Sequence, residues 1–418
     1  MKYFKSAVLI FTALALAVGL FWKIFPKEAG SEVVAQVNGN EKVDYKDFAG
    51  GAPLFSESDV SVSAKSVILC TENGLLLYEK QADVPLPMAS ITKVMTAIVA
   101  LERLGVNEAD KTEVLKNEVS VDVKAVGVEG SSVYLKTGEK VSYEMLLYSL
   151  MLESANDAAT AIAYATAESE EAFVKAMNEK ALSLCMSSTV FKNPHGLSDE
   201  GHYTTARDYA KLMSYALGNP VFTEIIGTKK KVYPSTDGTL TRVLTNHNRL
   251  LTTYKNMIGG KTGFTKISGR TLVTAAEKDG TRLICVTINA PNDWSDHTEL
   301  FEKGFSAVKT ETFSSDKCRF SVPVAGAEKN EVSIGIIGDV RLTVRAETEI
   351  TVKYFCPSIL FAPINKGKEI GRLEFYVDGK KVREEKLYVL EDSPALKEER
   401  VSLWNKITDF FSRKVTDR

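Results

Sequence analysis

The chain has 418 residues, of which 44% are apolar and 25% are charged. This length exceeds one average domain and this composition excludes a disordered chain, so two or three folded units are expected. The 52 Lys and Arg residues nearly balance the 54 Asp and Glu residues, which leaves a net charge of −2. That balance excludes the basic surface that nucleic-acid binding needs.

The histidines and cysteines indicate neither metal nor thiol chemistry. The four histidines never stand at the HExxH spacing of a zinc site, and the five cysteines form no CxxC pair. We therefore expect no metal, no cofactor and no disulfide framework.

The first segment, residues 1–26, has the pattern of an export signal. Basic residues at Lys2 and Lys5 precede an apolar run from Ala7 to Trp22. The run is short for a membrane-spanning helix, and the residues after it form a weak cleavage site. A signal peptide and a retained N-terminal anchor both fit, and each predicts an exported protein.

Residues 27–60 are polar and rich in turn-forming residues, which favours a linker. From residue 61 to residue 311 a β-hairpin, a long helical zone and a second hairpin follow in order. The hairpins are indicated by strand patterns around the turns Asn73-Gly74 and Asp279-Gly280. The helical zone contains four segments with apolar residues at helical spacing: Ile91–Leu104, Tyr143–Ala167, Glu170–Leu184 and Thr205–Leu217. This order predicts an α+β domain whose sheet joins both ends of the segment.

Residues 312–392 change to short alternating runs separated by turn residues, which predicts a small all-β sandwich or barrel. The last segment, residues 393–418, has an amphipathic pattern. Its large apolar residues share one helical stripe: Leu403, Trp404, Ile407, Phe410 and Phe411. Such a tail can bind a membrane surface or dock on the protein itself. The charge-rich stretch before it favours the membrane, because it would serve as a tether.

Three short motifs carry the chemistry. Ser90-Ile-Thr-Lys93 places a hydroxyl and an amine on one helical face, where the amine can take the hydroxyl proton if it is neutral. A free lysine is protonated at neutral pH, so Lys93 must be buried or lie beside another cation. The spacing alone is weak, because Ser306–Lys309 and Ser314–Lys317 share it.

Two further motifs strengthen the first. Ser154-Ala-Asn156 interrupts an apolar helical zone, where polar residues are costly unless they face a cleft. Lys261-Thr262-Gly263 leads into a strand, and a glycine there lets a substrate backbone approach the strand edge. The same triplet at Lys136-Thr137-Gly138 is rejected, because it precedes Ser154 and stands in a turn.

The three motifs, in this order along the chain, resemble the motifs of the serine β-lactamases and penicillin-binding proteins. The flanking sequences are closer still to the low-molecular-mass penicillin-binding proteins of the D-alanyl-D-alanine carboxypeptidase family. They are Pro87–Thr96, Glu153–Ala158, Asn193–Leu197 and Gly260–Thr265. The resemblance covers residues 60–390. It implies an antiparallel sheet with helices on both sides and an all-helical lobe, then the β-domain, at the extracytoplasmic face of a bacterial membrane.

The resemblance also implies roles for single residues. Ser90 would attack the penultimate D-Ala carbonyl of a peptidoglycan pentapeptide ending in D-Ala-D-Ala, and β-lactams would acylate the same serine. Lys93 would be its general base, and Ser154 would relay protons with Lys261. Asn156 would hold the substrate amide.

The remaining implied contacts lie on the strand after Lys261. The N–H groups of Ser90 and Phe264 would form the oxyanion hole, and Thr262 and Thr265 would bind the terminal carboxylate. The family often supplies an arginine for that carboxylate, yet residues 289–297 contain none, which leaves Arg270 or Arg249 as candidates. His195 is expected to shape a loop at the cleft.

Two rival functions remain. A class A β-lactamase needs a Glu-x-x-Leu-Asn segment between the second and third motifs, and residues 157–260 contain none. A non-catalytic wall-binding scaffold would tolerate loss of a motif residue, yet all are present.

Overall fold

The structure is a computed structural model that describes residues 35–38, 43, 45–106, 113–234 and 241–396. The signal or anchor predicted over residues 1–26 lies outside these ranges, as does the tail from residue 397 onward. Within them, no helix has both the length and the apolar character needed to cross a membrane.

The helices of the described ranges surround a sheet. In chain order they are α1 Lys93–Arg103, α2 Tyr143–Leu152, α3 Asn156–Thr166, α4 Glu170–Ser183, α5 Ala206–Leu217, α6 Pro220–Gly227, α7 Leu250–Thr253 and α8 Asp293–Ala307. The strands of the N-terminal part are β1 Ala35–Asn38, β2 Ser66–Thr71, β3 Leu76–Lys80, β4 Glu118–Ser120, β5 Lys140–Ser142, β6 Lys230–Pro234, β7 Thr241–Thr245, β8 Met257–Thr265, β9 Gly269–Lys278 and β10 Thr281–Ile288.

The main sheet is antiparallel and has the strand order β3-β2-β10-β9-β8. It joins the two predicted hairpins, since β2 pairs with β10 from Ser66 opposite Ile288 to Thr71 opposite Leu283. The second hairpin turns at Asp279 and Gly280, which both have positive φ as a tight turn requires. In the described part of the chain, no strand pairs with the outer edge of β8. The predicted α+β fold is confirmed.

Helices α1 to α6 pack their apolar faces into a core that extends over one face of the sheet. Three of them begin at polar caps, where Ser142, Ser169 and Thr205 each accept a hydrogen bond from a backbone N–H of the first turn. The single helical segment predicted over Tyr143–Ala167 is wrong. It is broken at Ser154, whose φ of 59° cannot continue a right-handed helix.

The C-terminal part is all β, as predicted. Its strands are β11 Val308–Phe313, β12 Phe320–Ala325, β13 Glu331–Gly335, β14 Val340–Arg345, β15 Ile350–Phe355, β16 Leu360–Phe361, β17 Glu369–Val377 and β18 Lys380–Val389. One sheet has the order β15-β17-β18-β13-β12-β16, and the other has β1-β14-β11. The first strand of this part, β11, pairs along its length with β14.

The linker predicted over residues 27–60 differs from the structure in its described part. Phe48 is buried in the core, and the N–H of Ala49 donates to the Gly74 carbonyl at 2.9 Å. Further along, the N–H of Phe55 donates to the Leu77 carbonyl at 3.1 Å. Isolated aromatic residues in a polar stretch show no helical or strand periodicity, so the sequence does not predict that they pack. In the structure this segment packs against the β2–β3 hairpin.

All five cysteines lie in described ranges, and each is a free thiol in the structure.

Candidate active site

Ser90 and Lys93 lie at the start of α1. A turn of 3₁₀ helix over Ala89–Thr92 leads into the helix at Lys93, so the two side chains share one face. Ser90 is half-buried, whereas Lys93 has no exposed surface. The Lys93 Nζ lies 3.0 Å from the Ser90 Oγ, which confirms the contact that the spacing predicts.

The other partners of Lys93 fix the direction of its hydrogen bonds. Its Nζ donates to Asn156 Oδ1 at 2.7 Å and to the backbone carbonyl of His195. The Asn156 amide nitrogen donates to the Glu129 carbonyl at 2.5 Å, so Oδ1 is the atom that faces the lysine. Both of these partners can only accept, whereas the Ser90 hydroxyl can also donate. A neutral amine therefore gives its two N–H groups to the carbonyls and offers its lone pair to Ser90.

Burial supports the neutral form of Lys93. Loss of solvent lowers the pKa of its amine well below the ordinary value, and the charge of Lys261 lowers the pKa further. The nearby Asp157 carboxylate acts in the opposite direction and is the smaller effect. Lys93 is therefore both buried and close to a second cation, and each of these conditions favours the neutral amine that a general base needs.

Ser154 and Asn156 enter the site because the helix breaks between α2 and α3. The positive φ of Ser154 turns the chain so that its hydroxyl meets Lys261 Nζ at 3.0 Å, while Asn156 starts α3 and points to Lys93. Lys261 is 1% exposed, and burial lowers its pKa to about 7. Its Nζ also donates to the Thr262 carbonyl at 2.8 Å.

The edge strand β8 runs directly beside the nucleophile. A side chain at Gly263 would place its Cβ 2.8 Å from the Ser90 backbone nitrogen and 2.4 Å from Thr271 Oγ1, so only glycine fits. The next side chain, Phe264, is 64% exposed. The strand thus lies against the Ser90 turn, with its outer edge open to an extended ligand.

The residues implied in carboxylate binding differ in burial and in the groups that they contact. Thr262 is half-buried, and Thr265 Oγ1 contacts Ser268 Oγ at 2.9 Å and Ser198 Oγ at 3.4 Å. Arg270 stands opposite Phe264 on β9, but its guanidinium binds Asp293 at 2.9 Å and covers the Trp294 ring. Arg249 stands at the N-cap position of α7, and its side chain makes no capping hydrogen bond.

Two loops contribute backbone carbonyl groups that the sequence motifs do not predict. The loop at Glu129-Gly130 holds the Asn156 amide, and a Cβ on Gly130 would lie 2.8 Å from its nitrogen. The loop at His195-Gly196 supplies the carbonyl to Lys93, and a Cβ on Gly196 would overlap the Ala89 carbonyl oxygen. The glycine in each loop is the sequence feature that could have indicated a close backbone contact, and both glycines have a positive φ in the structure. The His195 ring accepts the N–H of Leu197, which agrees with its expected role in shaping a loop.

The comparisons with known proteins agree with this geometry. Residues 54–292 match the D-alanyl-D-alanine carboxypeptidase family, and residues 298–395 match the C-terminal domain of penicillin-binding protein 5. The chain is 31% identical to the D-alanyl-D-alanine carboxypeptidase DacF of Bacillus subtilis over 80% of its own length and 87% of the relative.

Two further similarities cover both domains. The chain is 33% identical to the D-alanyl-D-alanine carboxypeptidase DacC of Escherichia coli over 79% of its own length and 84% of the relative. The crystal structure of penicillin-binding protein 5 from Haemophilus influenzae superposes with a TM-score of 0.61 at 27% identity, covering 80% of this chain and 98% of that one. The chain therefore belongs to the family of D-alanyl-D-alanine carboxypeptidases.

Proposed function

We propose that this chain is a serine D-alanyl-D-alanine carboxypeptidase that removes the terminal D-Ala of peptidoglycan pentapeptides and is acylated by β-lactams. The observation that carries the proposal is the 3.0 Å contact between Ser90 Oγ and the buried Lys93 amine, whose other neighbours are acceptors. A lysine held neutral in this way can act as a general base at neutral pH.

In the acylation step, Lys93 takes the Ser90 proton as Oγ attacks the carbonyl carbon of the penultimate D-Ala. The terminal D-Ala leaves as an amine and must gain a proton. Ser154 supplies it, because its hydroxyl lies 3.0 Å from the Lys261 ammonium, which can replace the proton. The proton on Lys93 then returns to Lys261, which makes Lys93 neutral again. Water attacks the acyl-enzyme carbonyl while Lys93 accepts its proton, and that proton passes to Ser90 Oγ as the acyl group leaves.

Backbone donors stabilise the charge on the carbonyl oxygen in this mechanism. The N–H groups of Ser90 and Phe264 form the oxyanion hole, since β8 passes within contact distance of the Ser90 turn. Losing one such donor typically costs about 3 kcal/mol of transition-state stabilisation. The substrate backbone extends along the outer edge of β8, where Gly263 leaves room for it.

The terminal carboxylate binds at the end of β8. Thr262 and Thr265 supply hydroxyl groups there, and the Lys261 ammonium supplies positive charge. Arg270 is the nearest arginine on the neighbouring strand, but its ion pair with Asp293 already compensates its charge. Lys261 and the two threonines thus take the place of the arginine that the family often provides.

Labelled penicillin and a peptide substrate test this proposal. The intact protein should bind the label covalently, and Ser90→Ala should not. A peptide ending in D-Ala-D-Ala should release D-Ala without forming a cross-linked product, which separates a carboxypeptidase from a transpeptidase. Rapid release of the label would instead indicate a β-lactamase, and absence of labelling would favour a non-catalytic wall-binding protein.

We also place the protein on the extracytoplasmic face of the bacterial membrane. The support is in the sequence: the export pattern of residues 1–26 and the apolar stripe within residues 393–418. Deleting residues 396–418 should release the protein from the membrane fraction. Unchanged retention would contradict a role for the tail.

A further inference from the structure

A buried chain of polar groups stands behind the peptide bond that precedes the nucleophile. The His202 Nε2 lies 2.8 Å from Thr92 Oγ1, and Thr92 Oγ1 donates to the Ala89 carbonyl oxygen at 2.7 Å. His202 is 4% exposed and Thr92 has no exposed surface. The proposed reaction uses neither residue.

The contacts fix the direction of each hydrogen bond. His202 Nδ1 accepts the backbone N–H of Lys192 at 3.0 Å, so in a neutral ring the proton is on Nε2. Nε2–H therefore donates to Thr92 Oγ1, which leaves the hydroxyl proton of Thr92 for the Ala89 carbonyl. Burial lowers the pKa of His202 to about 4, and the Asp199 carboxylate opposes this shift with a smaller effect. The ring thus keeps this tautomer throughout the neutral pH range.

The Ala89 carbonyl, which accepts the hydrogen bond from Thr92, belongs to the same peptide unit as the Ser90 N–H. Because a peptide unit is planar and trans, its C=O and N–H point in opposite directions, and holding one fixes the other. Ala89 has a φ of 52°, a left-handed conformation that is unfavourable for a residue other than glycine. The preceding carbonyl, on Met88, is held separately by Thr271 Oγ1 at 3.0 Å. The strained turn therefore depends on side-chain hydrogen bonds for its orientation.

We infer that His202 is a positioning residue that acts through Thr92 to aim the Ser90 N–H at the substrate carbonyl. This inference rests on the proposed function, because it assumes that the Ser90 N–H is an oxyanion donor. Without the Thr92 hydroxyl, the peptide unit can rotate and the donor is misaligned. The chemistry of the Ser90 side chain and Lys93 remains in place.

Infrared spectroscopy of the penicilloyl enzyme gives the sharpest test. Hydrogen bonds from the oxyanion donors lower the stretching frequency of the acyl ester carbonyl, so weaker donation raises it. We expect Thr92→Val and His202→Leu to raise this frequency and to slow acylation at saturating penicillin by about 10-fold to 100-fold. His202→Gln keeps a side-chain N–H and should recover much of the rate.

The matched control is Thr189→Val. Thr189 is a buried threonine of the same domain whose hydroxyl binds Asp208 at 2.9 Å and Thr204 at 2.7 Å, with no contact to the Ser90 turn. It should lower thermal stability as much as Thr92→Val does and leave the carbonyl frequency unchanged. A frequency that is unchanged in Thr92→Val, or shifted equally in Thr189→Val, would overturn the inference.

Wild-type protein separates this inference from the proposed function. Its acyl carbonyl should absorb at a lower frequency in the folded than in the denatured acyl-enzyme. If the two frequencies are equal, the oxyanion hole itself is wrong. If they differ but Thr92→Val behaves as wild type, only the role of His202 and Thr92 fails.

Discussion

Replacing Asn156 by aspartate tests whether Lys93 must be neutral to react. Asn156 Oδ1 lies 2.7 Å from the Lys93 Nζ, so an isosteric carboxylate would place a negative charge against the amine. A negative charge favours the ammonium form, which has no lone pair to receive the Ser90 proton. Asn156→Asp should therefore raise the pKa of Lys93 and slow acylation at pH values below the raised pKa.

The size of the effect follows from Coulomb's law. Two unit charges 2.7 Å apart attract by about 6 kcal/mol at an effective dielectric constant of about 20. One pKa unit corresponds to about 1.4 kcal/mol, so this attraction alone would raise the pKa of Lys93 by about four units. Burying the new carboxylate offsets part of that gain. We expect a net rise of about two units, so acylation should be about 100-fold slower at pH values below the wild-type pKa of Lys93, and the difference should shrink as the pH rises past the raised pKa.

The assay is the second-order rate constant for acylation by a fluorescent penicillin, measured from about pH 5 to about pH 10. The acidic limb of the Asn156→Asp profile should move to higher pH by about two units. Asn156→Ala is the control, because it removes the same acceptor without adding charge. It should lower the rate at every pH without moving that limb. An Asn156→Asp profile that is lower but not displaced would refute a protonation-controlled Lys93.

Three further predictions concern the proton relay, the edge strand and acid stability. Ser154→Ala removes the hydroxyl 3.0 Å from Lys261 and should slow acylation by about 100-fold with little change in melting temperature; a near wild-type rate would exclude the relay. Gly263→Ala would bring a methyl group to 2.8 Å from the Ser90 nitrogen, so penicillin labelling should be lost while circular dichroism stays native; full labelling would contradict the close approach. Burial lowers the pKa of His297 to about 3, so below about pH 6.5 the unfolded chain gains a proton that the folded chain does not, and stability falls as the pH falls. Between pH 7 and pH 5, His297→Gln should lose about 2 kcal/mol less unfolding free energy than wild type, measured by chemical denaturation; equal losses would show that this ring is not responsible.

The sequence predicted the fold where local pattern and tertiary packing agree. The hairpin predicted around Asp279-Gly280 turns at these residues, and the helices predicted over Glu170–Leu184 and Thr205–Leu217 lie at Glu170–Ser183 and Ala206–Leu217 in the structure. The break at Ser154 was missed because helical periodicity continues across it. Tertiary contacts with Lys261 stabilise a backbone conformation that the local sequence does not favour.

The site was predictable in its side chains but not in its backbone groups. Ser90, Lys93 and Asn156 come together as their motifs imply. The carbonyls of Glu129 and His195 could not be found in the same way, because every residue has a carbonyl and only the folded chain selects one. The glycines that follow these two residues mark the loops but not their partners.

The two buried lysines differ in their neighbours, and this difference determines where the proton resides. Lys93 faces two carbonyl oxygens and a hydroxyl, and its pKa is lowered by burial and by the charge of Lys261. Lys261 binds the Ser154 hydroxyl, and burial lowers its pKa to about 7. Because the charge of Lys261 further lowers the pKa of Lys93, a proton on Lys261 disfavours a second proton on Lys93. In that state the site has a free base beside Ser90 and a cation beside the carboxylate-binding threonines. Each lysine therefore has the protonation state that its proposed role requires, although burial affects both.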